Sequence, residues 1–184
     1  MKIHMATIFD KNYIIRAVTF YNALTKFGNY SYWFLCLDQE TKEIMTELSL
    51  PNVNLITIDE LGDSELMATK PDRNQAEFVF TAKSAFATFV TKKLPDGDAM
   101  MFLDNDVIFF LPPDELINRM REKSCSIGIN PHRFPKEKDW MNDRVGKYNA
   151  GFMVFILDKN SRQCINDWRK DCIDWCYLKY EAER

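Results

Sequence analysis

The chain has 184 residues, enough for one domain with a sizeable core, and its 46% hydrophobic and 14% aromatic content excludes a disordered chain. Its net charge of −3 is spread along the chain, so the basic arm or stripe typical of nucleic-acid-binding proteins is absent. No apolar run approaches the roughly eighteen residues of a membrane span. The N-terminal stretch, which lacks the pattern of a signal peptide, predicts a first strand.

Predicted strands and helices alternate in the first part of the chain. Strands are predicted at residues 2–9, 30–37 and 53–58, with helices at 11–26 and 40–48. Asp10 is the predicted N-cap of the first helix and Gly28 its C′ glycine. Strand-helix alternation is typical of a doubly wound α/β domain, in which ligands bind beyond the carboxyl ends of the strands. Acidic residues follow several of these strands and are candidates for caps or ligands: Asp10, Asp38, Asp59 and Asp104.

The later elements are predicted in the same way. Residues 61–74 and 131–147 are polar and predict loops. Helices are predicted at 75–94, 114–123 and 161–180, and strands at 124–130 and 148–156. Gly151, near the start of the last strand, predicts a close backbone approach or a bulge.

The stretch from Asp98 to Pro113 contains the principal candidate site. Two apolar runs, Ala99 to Leu103 and Val107 to Leu111, flank Asp104-Asn105-Asp106 and predict strand structure buried on both faces. Residues two apart in an extended segment point the same way, so both carboxylates could hold Mg²⁺ or Mn²⁺ together with substrate phosphates. The alternative is that these residues only form a turn.

Lys83 lies among apolar residues of a predicted helix. It is either a solvated lysine or a point charge that pairs with a phosphate near a binding crevice. The first strand is followed by FDKNY, which has no glycine, so neither a dinucleotide-binding turn nor a P-loop is present. Nucleotide phosphates would therefore need a metal to neutralise their charge.

Five cysteines, at irregular spacing, argue against a disulfide framework and for a reducing compartment. Cys172 and Cys176 lie four residues apart on a predicted helix. They are expected to be buried or half-buried thiols; the alternative, a structural zinc site, would need two further ligands at suitable spacing.

Several stretches together resemble the GT-A fold glycosyltransferases, the nucleotide-diphospho-sugar transferases similar to glycogenin. The residues that carry this resemblance are Met101 to Asp106, like the family's YLDxD motif, Glu77 to Lys83, Gly146 to Phe152, like its YNxGF segment, and the Trp168 to Cys176 pattern of bacterial members. The resemblance covers most of the chain. It implies an α/β fold, a GT-A-like αβα sandwich with a mostly parallel central sheet.

The resemblance also implies a function. The implied activity is that of a metal-dependent glycosyltransferase, which moves a sugar from a UDP-linked nucleotide-diphosphate donor to a glycan, lipid or protein acceptor. The implied role is in polysaccharide biosynthesis, in the cytoplasm or at the membrane periphery. By this resemblance, Asp106 binds Mn²⁺ or Mg²⁺, Asp104 binds the metal or the donor ribose, and Lys83 contacts the diphosphate. Asn149 and Gly151 line the sugar pocket, and Asp10 and Tyr13 hold the nucleotide base. His132 and Arg133 face the acceptor or the donor phosphate.

Two departures from the family pattern bear on completeness. The third metal ligand of glycogenin-like enzymes is often a histidine after the YNxGF segment, and no histidine follows Asn149. The chain ends at Glu181 to Arg184 without the Asp-Gln segment of the group, so we expect residues 1–184 to be a single domain lacking its C-terminal part.

Two other functions stay open on the sequence alone. One is a nucleotide-sugar or divalent-metal binding module without turnover. The other is a nucleotidyltransferase, although that class has a Gly-rich basic loop after the first strand and FDKNYIIRA has no glycine.

Overall fold

The computed structural model describes residues 1–179 and arranges six strands and seven helices around one central sheet. The strands are β1 (Ile3–Phe9), β2 (Ser31–Cys36), β3 (Val53–Thr57), β4 (Ala99–Leu103), β5 (Ile127–Pro131) and β6 (Tyr148–Ile156). The helices are α1 (Ile14–Leu24), α2 (Gln39–Glu47), α3 (Ser64–Thr69), α4 (Gln75–Thr91), α5 (Pro113–Glu122), α6 (Met141–Val145) and α7 (Lys159–Asp174). Short 3₁₀ segments lie at Lys11–Tyr13, Asp59–Leu61, Lys70–Asp72 and Lys136–Lys138.

The sheet has the strand order β3-β2-β1-β4-β6-β5. Strands β1 to β4 are parallel, whereas β6 is antiparallel to β4 and β5 is antiparallel to β6. The prediction of a mostly parallel sheet is therefore confirmed. In the β4–β6 pair, Leu103 lies opposite Phe152. This register brings the residues after β4 to the start of β6.

Helices cover both faces of the sheet because successive side chains of a buried strand point to opposite sides. From β4, Met100 and Phe102 join the core beneath α4 and α7, and Met101 and Leu103 join the core beneath α1 and α5. All four side chains are fully buried. Each such side chain contributes about 1.5–3 kcal/mol relative to leaving it exposed. The result is the predicted αβα sandwich.

Two carboxylates that follow strands act as N-caps of the next helical segments. Asp38 caps α2 by accepting a hydrogen bond from Thr41 N at 2.7 Å. Asp10 accepts from Asn12 N at 2.9 Å at the 3₁₀ turn that leads into α1, so the predicted cap is confirmed. Asp104 starts no helix, because the residues after it form a turn. Asp59 is the first residue of a 3₁₀ segment whose N-cap is Ile58, so it is not a cap either. Asp59 and Asp104 are therefore the two acids of this set that capping does not explain.

Both predicted loops contain helical structure, so those two predictions were wrong. Residues 61–74 contain α3, and residues 131–147 contain α6. A helix of six residues is not stable alone. In α3 the N-cap Asp63 accepts from Leu66 N at 3.0 Å and also binds Arg169 of α7 at 2.6 Å. That tertiary contact is not visible in the local sequence.

Two other sequence predictions also fail. Val107 to Leu111 is not a strand: its backbone is irregular and Phe110 is 90% exposed. Helix α1 ends at Leu24, four residues before Gly28, which does not adopt the left-handed conformation of a C′ glycine. Gly28 instead lies against the ring of Tyr30, where a Cβ would be only 3.2 Å from Tyr30 Cζ.

The last helix is shorter than predicted. Helix α7 ends at Asp174, and Tyr180, the predicted end, lies outside the described residues. No helix within residues 1–179 is long and apolar enough to cross a membrane.

Candidate functional site

A cavity of about 500 Å³ lies beyond the carboxyl ends of β1 and β4, against the first half of α4. This is where a parallel α/β sheet binds its ligands. Its volume is within the usual range of small-molecule pockets. The residues that line it include Asp10, Tyr13, Arg16, Gln75, Phe80, Lys83, Asp104, Asn105 and Asp106. Five of the residues proposed from the sequence are therefore brought together in one place.

Asp104 and Asp106 reach the cavity from a turn, not from an extended segment. Strand β4 ends at Leu103, and Val107 N donates to Asp104 O at 3.3 Å across the turn. The prediction of an extended segment was therefore wrong, but both side chains line the same cavity. Asn105 between them is only 8% exposed, and its Nδ2 has no hydrogen-bond partner among residues 1–179. An unpaired buried amide donor is costly, and a ligand oxygen would satisfy it.

Lys83 projects from α4 and pairs with Asp104. Its Nζ lies 2.5 Å from Asp104 Oδ1, and the lysine side chain is 9% exposed whereas that of Asp104 is 41% exposed. Of the two alternatives for Lys83, the solvated one is therefore wrong. Because the ammonium is buried and its partner faces the cavity, a positive charge is fixed at the wall of the cavity.

Gly151 supports Asp104 from the opposite side. Its carbonyl accepts a hydrogen bond from Asp104 N at 2.9 Å, and its own N–H donates to Asn149 Oδ1 at 2.7 Å. An ideal Cβ on residue 151 would lie 2.6 Å from Asp104 Oδ2. The close approach that the glycine predicts is confirmed. Gly151 thus contacts the cavity residue Asp104, and Asn149 in turn contacts Gly151, but neither of the two lines the cavity.

Aromatic and polar side chains also line the cavity. Tyr13 is 43% exposed, and Arg16 Cζ lies 4.8 Å from the centre of its ring. Asp10 also lines the cavity, and its two carboxylate oxygens accept hydrogen bonds from Asn12 N at 2.9 Å and Asn12 Nδ2 at 3.4 Å. Exposed aromatic faces beside a guanidinium are suited to a planar base.

The cavity residues that sequence reasoning missed include Arg16, Phe80 and Asn105. Phe80 is 42% exposed and lies three residues before Lys83, whose Nζ is 5.5 Å from its ring centre. It falls outside the apolar stripe of α4, and a large aromatic residue off the buried stripe is the signal that could have identified it.

His132 and Arg133 do not line the cavity. The His132 ring stacks on Phe134 with centroids 4.9 Å apart, and its Nδ1 lies 3.0 Å from Gly146 O. Arg133 has a φ of +55°, in the left-handed region. Both residues belong to the connection between β5 and β6, and their role toward an acceptor or a phosphate stays a prediction.

The oxygen donors of the cavity suit a cation that arrives with its substrate. Residues 1–179 contain no group of three His, Cys, Asp or Glu side chains that could hold a metal ion. Mg²⁺ and Mn²⁺, however, are often bound by one or two carboxylates, with substrate phosphates and water as the other ligands. Asp104 and Asp106 supply the two carboxylates that such a cation needs from the protein. The third metal ligand that glycogenin-like enzymes contribute is not found among the described residues.

The chain has the fold of the GT-A glycosyltransferases, as comparison with solved structures shows. A mouse xyloside xylosyltransferase 1 structure matches with a TM-score of 0.60, at 14% identity over 97% of this chain and 78% of that one. The galactosyltransferase LgtC, solved with donor and acceptor sugar analogues, matches with a TM-score of 0.62, at 16% identity over 96% of this chain and 66% of that one. At these identities the likeness establishes the fold.

Two Bacillus subtilis proteins are similar to this chain in sequence. The uncharacterized protein YfnD is 26% identical over 182 residues, and the uncharacterized protein YfnF is 26% identical over 177 residues. The chain spans 58% of the length of each of these relatives. No protein-family model matches the chain.

Proposed function

We propose that this domain is a glycosyltransferase that uses a nucleotide-diphosphate sugar, UDP-linked, together with Mn²⁺ or Mg²⁺. The observation that carries the proposal is the arrangement at the end of β4, where Lys83, Asp104 and Asp106 place one positive and two negative groups at one cavity. The GT-A fold, shared with known glycosyltransferases, supports glycosyl transfer in general. We also propose that residues 1–184 belong to a single domain.

The donor would lie along the cavity. The base and ribose would lie at the end formed by Asp10, Tyr13 and Arg16, where an exposed ring offers a stacking surface. The diphosphate would lie toward Asp106 and the Lys83–Asp104 pair. Asn105, between these two acids in the sequence, also lines the cavity, and its unpaired amide would donate to an oxygen of the ligand.

Transfer of the sugar builds negative charge on the departing diphosphate. A divalent cation held by Asp104 and Asp106 would supply Lewis-acid stabilisation of that charge. Lys83 is fixed by its contact with Asp104 before substrate arrives, so its charge requires little reorganisation during the reaction. Gly151 keeps Asp104 in position because its carbonyl holds the Asp104 N–H and its missing side chain leaves room for the carboxylate.

A binding module without turnover is the second candidate. One observation favours it: residues 1–179 contain no group of three side chains that could hold a metal ion. Donor hydrolysis separates the two functions. Turnover of a UDP-sugar supports the transferase, whereas metal-dependent binding of UDP without turnover of any common nucleotide sugar supports the module.

The site itself is tested by titrating UDP with and without Mn²⁺ by calorimetry. We expect Mn²⁺ to raise the affinity for UDP and Asp106→Ala to abolish most of that increase, because the exposed carboxylate is lost. Asp167→Ala is the matched control, since Asp167 is an exposed acid on α7 that accepts a hydrogen bond from Gln163 Nε2 at 2.9 Å and does not line the cavity. If Asp106→Ala leaves the metal-dependent affinity unchanged, the assignment of the site is wrong.

A further inference from the structure

The charges that line the cavity nearly cancel. Three carboxylates and two cationic groups line it: Asp10, Asp104, Asp106, Arg16 and Lys83. Residues 1–179 also contain no group of three side chains that could hold a metal ion by itself. A divalent cation that arrives without another ligand is therefore attracted only weakly, because the cationic groups repel it while the carboxylates attract it.

At the end of β4, one of the two carboxylates is already neutralised. The Nζ of Lys83 donates to Asp104 Oδ1 at 2.5 Å, in a charge-assisted hydrogen bond. The other oxygen, Asp104 Oδ2, lies against Gly151, where an ideal Cβ would be only 2.6 Å away. Asp106 is exposed and forms no ion pair with another residue of the described range 1–179. At this turn, a free cation would therefore find a single carboxylate without a cationic partner.

Lys83 in turn depends on Asp104. The lysine side chain is 9% exposed, and Asp104 is its only ion-pair partner within residues 1–179. A buried ammonium is costly unless an opposite charge lies beside it. A free cation that bound Asp104 would weaken this pair and leave the Lys83 charge poorly compensated. Lys83 thus opposes the binding of a free cation through charge repulsion and through the loss of its own partner.

A diphosphate reverses this effect. The two phosphates of a nucleoside diphosphate carry more negative charge than one divalent cation neutralises. The remaining negative charge provides a second anion for Lys83, whose ammonium suits a phosphate as a point charge. A cation and a diphosphate that bind together therefore avoid the cost that a cation meets alone.

We propose that Lys83 makes this site selective for a divalent cation bound to a diphosphate over the free cation. The inference rests on the proposed function, because it takes UDP and Mn²⁺ as the ligands. By thermodynamic linkage, each ligand strengthens the binding of the other by the same factor, and Lys83 increases that factor. Removing the Lys83 charge therefore has opposite effects on the two ligands: free Mn²⁺ binds more tightly, whereas UDP in the presence of Mn²⁺ binds more weakly. A lysine that only contacted the phosphates, or only stabilised the fold, would not weaken the binding of free Mn²⁺.

The first test uses the unaltered protein and measures Mn²⁺ binding by electron paramagnetic resonance without nucleotide, with uridine and with UDP. After correction for the Mn²⁺ that UDP binds in solution, we expect UDP to strengthen Mn²⁺ binding by about tenfold or more. Uridine, which has no phosphates, should change it by less than about twofold. Mn²⁺ that binds equally tightly with and without UDP, in a protein that binds UDP, would overturn the proposal. A protein that does not bind UDP at all would overturn the proposed function and this inference with it.

The second test compares Lys83→Met with a matched control, Lys93→Met. The Lys93 ammonium lies 4.5 Å from the ring centre of Phe89, much as that of Lys83 lies 5.5 Å from Phe80, but Lys93 does not line the cavity. Circular dichroism establishes that each variant is folded, and the first test decides the proposal if Lys83→Met is not.

We expect Lys83→Met to bind Mn²⁺ alone about threefold or more tightly than the unaltered protein, because a repelling charge is lost and Asp104 is released. The factor by which UDP strengthens Mn²⁺ binding should fall about tenfold. Lys93→Met should change neither quantity by more than about twofold. If folded Lys83→Met binds free Mn²⁺ no more tightly than the unaltered protein does, the proposal is wrong, while Mn²⁺-dependent binding of UDP by the unaltered protein would still support the proposed function.

Discussion

Replacing Gly151 with alanine would place a methyl group against the carboxylate of Asp104. An ideal Cβ would lie 2.6 Å from Asp104 Oδ2 and 2.9 Å from Asn149 Oδ1, whereas ordinary van der Waals contact starts at 3.4 Å. The Asp104 oxygen would have to move by about 0.8 Å to reach that contact. It has little freedom to do so, because Lys83 holds the other oxygen at 2.5 Å and the Asp104 N–H is bound to Gly151 O.

The size of the effect follows from that displacement. Inserting a methyl group into a packed site costs about 1–3 kcal/mol of unfolding free energy. A misplacement of about 1 Å in a functional group can reduce activity by up to about 100-fold. We therefore expect Gly151→Ala to fold, to lose about 1–3 kcal/mol of stability, and to bind UDP in the presence of Mn²⁺ at least about tenfold more weakly.

Urea unfolding and calorimetric titration of UDP with Mn²⁺ measure the two effects. Gly128→Ala on β5 is the matched control, because its Cβ would lie 3.1 Å from Met120 Sδ, the end of a flexible side chain that can turn away. The control should keep the UDP affinity. A folded Gly151→Ala protein whose affinity stays within about twofold of the original would refute a role for Asp104 in donor binding.

Lys83 and His4 each give a further prediction. Lys83→Met should weaken UDP binding in the presence of Mn²⁺ by about tenfold or more. It should change the unfolding free energy by less than about 1 kcal/mol, because water rehydrates the partly exposed Asp104 carboxylate. A large loss of stability with unchanged UDP affinity would contradict this prediction. Burial lowers the pKa of His4, whose Nε2 lies 3.2 Å from Asp98 Oδ2. The unfolded chain therefore takes up a proton at His4 at higher pH than the folded one does, so stability falls as the pH drops below about 6.5. Urea unfolding between pH 7 and pH 5 should show a smaller loss in His4→Gln than in the control His132→Gln, and equal losses would exclude His4 as the source.

Much of the fold could be predicted from the sequence because its signals are local. Apolar runs predict the buried strands, and the acids that follow β1 and β2 cap the next helical segments as expected. The acidic turn could be found because polar residues interrupt an apolar stretch at the end of β4. The short helices α3 and α6 could not, because a five- or six-residue helix depends on contacts made elsewhere in the chain.

The sequence by itself determined the alternation of strands and helices and the position of two carboxylates at the end of a buried strand. Only the tertiary structure decided their surroundings. Lys83 reaches Asp104 because α4 packs on the sheet beside β4, and Gly151 meets the same carboxylate because β6 pairs antiparallel with β4 in one register. Local patterns fix which face of a strand or helix is apolar, but the partner and register of each element depend on contacts between residues far apart in the chain.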